Sequence, residues 1–169
     1  MKYTSAEASK LLRTLTEEHN NLADRERSLD TFGAFANEDP AAVRPDYDYA
    51  EYQARLSELE EKIRKVKHAI NVFNVTTVLP ETGMTIDETL VLLPQLSARK
   101  RKLSVMSMRV QKERLMNTRT TTAAVSEFMY ANYDIAEAKS DYDKTVAEIT
   151  AIQTAIDLVN NTETFEIDI

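Results

Sequence analysis

Apolar side chains recur along this chain at steps of three and four, and the same register is written twice. The first seam is Tyr49, Tyr52, Leu56, Leu59, Ile63, Val66, Ile70 and Phe73. The second, 86 residues later, is Ile135, Ala138, Tyr142, Thr145, Ile149, Ile152, Ile156 and Val159. Unbroken spacing of this kind keeps one apolar stripe of a helix against a partner helix. The two seams also end alike, Ala69-Ile70-Asn71-x-x-Asn74-x-Thr76 against Ala155-Ile156-Asp157-x-x-Asn160-x-Thr162.

Each seam is preceded by a second helical pattern with the same opening. Thr4 with Glu7, and Thr85 with Glu88, have capping-box spacing: the hydroxyl accepts from the amide three residues on, and the carboxylate reaches back. Behind Thr4 run Ala8, Leu12, Leu15, Leu22 and Leu29, with His19 and Glu26 where apolar residues would continue the seam. Gly33 is a natural left-handed terminator for this helix. The segment from Asn37 to Pro45 reads as the clear loop, and the next helix begins at Asp46 or Asp48. Behind Thr85 the third helix is expected to pass Pro94 with a kink and to reach about Met116.

Three short segments break the helical period. Thr164 to Ile169 alternates apolar and polar residues, the mark of a half-buried strand. Val75 to Leu79 is rich in β-branched residues and ends in a Pro80–Gly83 turn, and Glu127 to Tyr130 is a weaker strand pattern. Together they predict one small antiparallel sheet at one end of the helices. The expected fold is mainly α: two long antiparallel helical hairpins from an internal duplication, about 4–80 and 85–169, forming a single coiled-coil-like domain over 1–169.

Composition narrows the function classes. Two glycines and four prolines among 169 residues leave little loop chemistry. No phosphate-cradling loop of the Walker or dinucleotide type can be written, and there is no His-Glu-x-x-His or Gly-x-Ser-x-Gly motif. The absence of cysteine removes disulfides, thiolate ligands and cysteine nucleophiles. His19, on a leucine seam, reads as a hydrogen-bonded packing residue, and His68 as solvated. The pairs Asp46/Asp48 and Asp141/Asp143 lack the twelve-residue, glycine-turned loop of a calcium site. No catalytic residue, cofactor or metal is assigned. No signal peptide or membrane-length apolar run is present in the sequence, which gives a cytoplasmic expectation with no membrane partner.

Two constellations remain. From Arg99 to Arg119 there are eight basic residues and one acid, Glu113, so this stretch carries +7 while the rest of the chain carries −14. On a continuous helix Arg101, Lys102, Arg109, Lys112 and Arg119 gather opposite the seam of Leu96, Leu103, Met106 and Val110. Such a stripe can grip phosphates. It can equally pair with acidic residues such as Glu58, Glu60 and Glu61, in the same chain, a second copy or an acidic protein. The pairing reading is preferred, because no aromatic residues interleave the stripe for base stacking. The second constellation is Asn71, Asn74, Thr76, Thr77, Asn160 and Thr162 at the helix ends. Left-handed asparagine caps account for it more economically than a polar pocket for a small ligand.

The segments Ile70-Asn71-x-x-Asn74-x-Thr76-Thr77, Gly83-Met84-Thr85-Ile86-x-Glu88-x-Leu90 and Ile152-Gln153-x-x-Ile156-x-x-x-Asn160 resemble a bacterial family of small uncharacterised helical proteins labelled septicolysin-like. The resemblance covers most of the chain and implies an all-helical cytoplasmic protein of unknown function. The toxin activity in that label is not implied, since neither a long amphipathic β-hairpin nor a membrane helix is legible here. The leading expectation is a non-catalytic structural or interaction protein that forms a homo-oligomer. Tyr3, Tyr47, Tyr49, Tyr130 and Tyr133, near helix starts, would offer partner area. A nucleic-acid-binding accessory protein comes second, and an enzyme or ligand binder at the asparagine–threonine ends third.

Overall fold

The computed structural model describes residues 1–114 and 127–169. In chain order its elements are β1 (Lys2–Thr4), α1 (Ser5–Leu29), α2 (Pro40–Val43), α3 (Tyr49–Thr76), α4 (Ile86–Ser107), β2 (Lys112–Arg114), β3 (Phe128–Tyr130), α5 (Ile135–Thr162) and β4 (Thr164–Glu166). The chain is mainly helical and divides into two compact units. One comprises Met1–Thr77 with Leu158–Ile169, the other Val78–Asp157. The last twelve residues therefore belong with the first unit, where the sequence repeat had grouped them with the second half.

In the first unit α1 and α3 pack side by side in opposite directions. His19 Nε2 lies 3.5 Å from Glu60, and Gln53 donates to Glu26 at 2.8 Å, so later residues of α1 meet earlier residues of α3. Their shared core is Ala8, Leu15, Leu59 and Val66, flanked by Leu11, Leu12, Leu22, Ile63 and Ile70. The C-terminal segment closes the unit. β4 pairs antiparallel with β1, Tyr3 opposite Phe165, and the pairing extends through reciprocal 2.9 Å bonds between the backbones of Met1 and Ile167. Ile167 joins the core, and Phe165 stacks on buried Phe73 with ring centroids 4.7 Å apart.

In the second unit the buried face of α4 is Ile86, Thr89 and Leu96, and that of the α5 portion includes Ala138, Thr145, Ile149, Ile152 and Ile156. Two of these are hydroxyls. Thr89 donates to the carbonyl of Thr85 at 2.8 Å and Thr145 to that of Asp141 at 2.7 Å, which satisfies them inside their own helices. Leu79 is fully buried and holds the turn ahead of α4: its N–H donates to Met84, and its carbonyl accepts from Gly83 and Thr82. Gly83 takes the left-handed conformation that this turn needs, with φ of 67°.

Several expectations change. α1 ends at Leu29 with Asp30 right-handed and bonded back to Glu26, so Gly33 is not a left-handed terminator. The 37–45 loop contains the one-turn helix α2, capped by Asp39 with Pro40 in its first turn. Asp48, not Asp46, starts the next helix by accepting from Ala50 and Glu51. Residues 75 and 76 remain helical despite their β-branching, because the seam continues to Phe73 and its stack on Phe165. Of the proposed 75–79 strand, only Val78 forms a bridge, to Thr85. The single sheet is replaced by two two-stranded sheets, β1–β4 and β2–β3. α4 runs through Pro94 but stops at Ser107, not at Met116, which lies outside the described residues. The hydroxyl of Tyr133 takes the Met106 carbonyl at 2.9 Å, and Gln111 exchanges hydrogen bonds with Ala131, so strand pairing replaces the expected last helical turns.

Glu26 fills the polar gap in the α1 seam by accepting from the Tyr47 hydroxyl and the Gln53 amide, both at 2.8 Å. Its hydrogen bond favours the neutral phenol and raises the Tyr47 pKa from 10.0 to about 12. The unfolded chain then loses this proton at lower pH than the folded one. The contribution of the contact to stability is complete below pH 10 and vanishes as the pH rises to about 12. Absorbance titration should show this tyrosine ionising late in the wild type, and Glu26→Gln should return it toward pH 10. An unchanged titration in the variant would refute the assignment.

Candidate functional site

The asparagine–threonine residues all fall in the first compact unit. Asn71 is exposed, and Asn74 and Asn160 lie in the last turns of α3 and α5. Among the described residues no non-glycine residue has a positive φ, so the left-handed asparagine caps are absent. Thr76 and Thr162 donate to the carbonyls four residues back, Val72 at 2.7 Å and Leu158 at 2.9 Å. Thr77 is the C-cap of α3, its N–H bonded to Phe73. Asn160 keeps a buried side-chain oxygen without a hydrogen-bond partner. None of the six lines the clefts described below.

His19 behaves as a packing histidine, with one ring nitrogen toward Glu60 and the other 3.5 Å from the Asn20 side chain, and His68 is exposed. The acidic run expected to meet the basic stripe is engaged locally. Glu58 pairs with Lys62, Glu61 with Lys65, and Glu60 with His19. The lysines hold the Glu58 and Glu61 carboxyls below the usual range, chiefly through the hydrogen bonds they donate. Among the described residues no group of three or more histidines and carboxylates is placed to hold a metal ion.

The basic stripe does not survive as one helical face. Arg101 and Lys102 are on α4, Arg109 follows its C-cap, Lys112 is in β2, and Arg119 lies outside the described residues. Arg99, Lys102 and Leu103 line a cleft of about 440 Å³ whose other wall is Asp141, Lys144, Thr145 and Glu148 of α5. A cleft of about 570 Å³ lies between the end of α1 and the α2 segment, with Phe32, Arg44 and Tyr47 in its wall.

Lys112 and Arg114 enter the β2–β3 ribbon, which sequence reasoning did not connect with them. Its register sets Lys112 opposite Tyr130 and Arg114 opposite Phe128. Residues directly opposite share a face, so these four stand on one side and Glu113 with Met129 on the other. The Lys112 ammonium lies 4.1 Å from the centroid of Phe128 and 5.4 Å from that of Tyr130. All residues of both strands are exposed, with Tyr130 at 61%. Arg109, Val110 and Glu113 share a small cleft of about 180 Å³ with Met129 to Tyr133. The premise that no aromatic residue accompanies the basic run therefore holds along the chain but not in space. The weak strand pattern at 127–130 was the available signal.

No helix among the described residues is long and apolar enough to cross a membrane. No family model and no curated protein matches the chain. A solved structure does: a functionally unknown conserved protein from Corynebacterium diphtheriae, 17% identical, aligned over 98% of this chain and 100% of that one with a TM-score of 0.58. At that identity the likeness is one of fold.

Proposed function

We propose that the chain is a duplicated helical hairpin that works without catalysis, as a self-associating interaction protein. Membership of the septicolysin-like group belongs to the same reading and rests on the sequence segments that carry the resemblance.

Matching detail at two fixed offsets supports the duplication. Adding 81 carries the capping box Thr4/Glu7 onto Thr85/Glu88, and the buried residues Ser5, Ala8 and Leu15 of α1 onto Ile86, Thr89 and Leu96 of α4. Adding 86 carries α3 with its cap Asp48 onto α5 with Asp134, which accepts from Ala136 and Glu137. The same two offsets relate the strand pairings. Val78 bridged to Thr85 becomes Thr164 paired with Thr4. The β1–β4 pairing would thus repeat the bridge that flanks the Pro80–Gly83 turn.

The observation that carries self-association is a set of half-exposed valines inside long helices. Val72, Val75, Val91 and Val105 are 44 to 59% exposed. Valine is a mediocre helix former whose side chain loses rotamer freedom in the helix, so solvent-facing positions have no local reason to hold it. Exposed Leu90 and Leu158 add to the apolar area. Non-catalytic action is supported by the local engagement of His19, Glu58, Glu60 and Glu61 in packing and helix pairs.

A permutant that joins Ile169 to Met1 through a short glycine linker and opens the chain at Glu81 should unfold cooperatively with unchanged helical signal. Loss of cooperative unfolding would count against equivalence of the two connections. Light scattering at micromolar concentration should give at least twice the protomer mass of 19.2 kDa. Val72→Glu with Val75→Glu and Val91→Glu should bring it down to the protomer with its helical signal kept, since glutamate favours helix more than valine does. A wild-type mass of 19.2 kDa would sink the assembly reading.

A further inference from the structure

We infer that the face of the β2–β3 ribbon carrying Phe128 and Tyr130 binds single-stranded nucleic acid, with those two rings stacking bases and Lys112 and Arg114 meeting phosphates. This goes beyond self-association and does not depend on it.

The face unites the two features such binding needs, a sequence-tolerant stacking platform and a cationic track. Phe128 and Tyr130 are two residues apart on β3 and point the same way, so their ring bases stand about 7 Å apart. That spacing suits successive bases of an extended strand. It is about twice the 3.4 Å rise per nucleotide in a duplex, whose bases are in any case stacked on each other. Both rings are accessible, Phe128 at 38% and Tyr130 at 61%.

The cations are placed to serve them. Lys112 and Arg114 lie directly across from the two rings. The only acid in the run, Glu113, is on the opposite face. Among the described residues neither Lys112 nor Arg114 forms an ion pair within the chain. Lys112 occupies the face of Phe128. An exposed cation–π contact is weaker than a base stacked on the same ring, so the base displaces the ammonium, whose flexible stem carries it to a phosphate.

Charge also chooses the occupant. An acidic peptide would satisfy the cations but leave both rings uncovered by any π face. A second copy of this acidic chain would cover the rings with no base-like π face, and its Glu58 and Glu61 are already paired with lysines.

Fluorescence anisotropy with labelled oligothymidylate and oligouridylate of about twelve nucleotides tests the inference. Binding of either at low salt is expected, with a log–log salt slope of about −1.4 for two phosphates on a single strand. The difference between the two probes assigns DNA or RNA. Phe128→Ala with Tyr130→Ala should weaken binding at least about tenfold, and Lys112→Glu with Arg114→Glu should abolish it. Arg101→Glu with Lys102→Glu on α4 should leave it unchanged. Circular dichroism and light scattering of each variant separate loss of the surface from loss of fold or assembly. Three results would overturn the inference: no binding of either probe at low salt; binding indifferent to removal of the rings, with polyglutamate competing equally; or ribbon variants that change only the oligomer mass.

Discussion

Four side-chain caps set where the long helices begin, and the register of the buried residues within those helices follows from them. Thr4 and Thr85 close capping boxes with Glu7 and Glu88, while Asp48 and Asp134 accept from the first amides of α3 and α5. The first four N–H groups of a helix have no partner within it, and each cap contributes about 1 kcal/mol by supplying one. In a chain with two glycines, start positions cannot be left to flexible loops. Once Thr4 fixes the first turn, Ala8 and Leu15 face inward, and Leu59, Val66 and Phe73 follow from Asp48 at steps of seven.

The helix ends are settled by a different means. No glycine cap ends α3 or α5; the two helices are followed instead by segments that pair with the residues preceding α4 and α1. These pairs are very short, and isolated strands of this length are unstable in water. They persist because each brings apolar side chains into its unit, Leu79 in one case and Phe165 with Ile167 in the other. Burial of a side chain of this size stabilises by about 1.5–3 kcal/mol, more than the exposed backbone pairing itself contributes.

What could be read from the sequence divides along the same line. Caps and seams were legible because each depends on residues a few positions apart: Thr4 with Glu7, Tyr49 with Tyr52 and Leu56. The β1–β4 pairing joins opposite ends of the chain, so the period-two pattern at 164–169 announced a strand without naming its partner. Gly33 and the asparagines misled for a related reason. Their left-handed propensity was real but unused, since α1 stops four residues before Gly33 and α3 and α5 continue past Asn74 and Asn160. A buried anchor such as Phe73, stacked on a residue 92 positions away, overrides a local preference worth well under 1 kcal/mol.

The basic run shows how the meaning of a charge pattern depends on the period of the backbone that carries it. On a continuous helix Glu113 would stand one turn from Arg109 and neutralise the middle of the stripe through an i,i+4 pair. On a strand the side chains alternate, so Glu113 turns away from Lys112 and Arg114, and Arg114 joins a face from which the helical reading had left it out. The switch from period 3.6 to period 2 falls where Tyr133 captures the Met106 carbonyl and Gln111 meets Ala131. Both partners lie at least 20 residues downstream of the residues they hold. The end of α4 therefore converts one shared basic stripe into two surfaces of different character. Lys102 stays beside the carboxylates of α5, while Lys112 and Arg114 are carried onto an exposed ribbon with two aromatic rings.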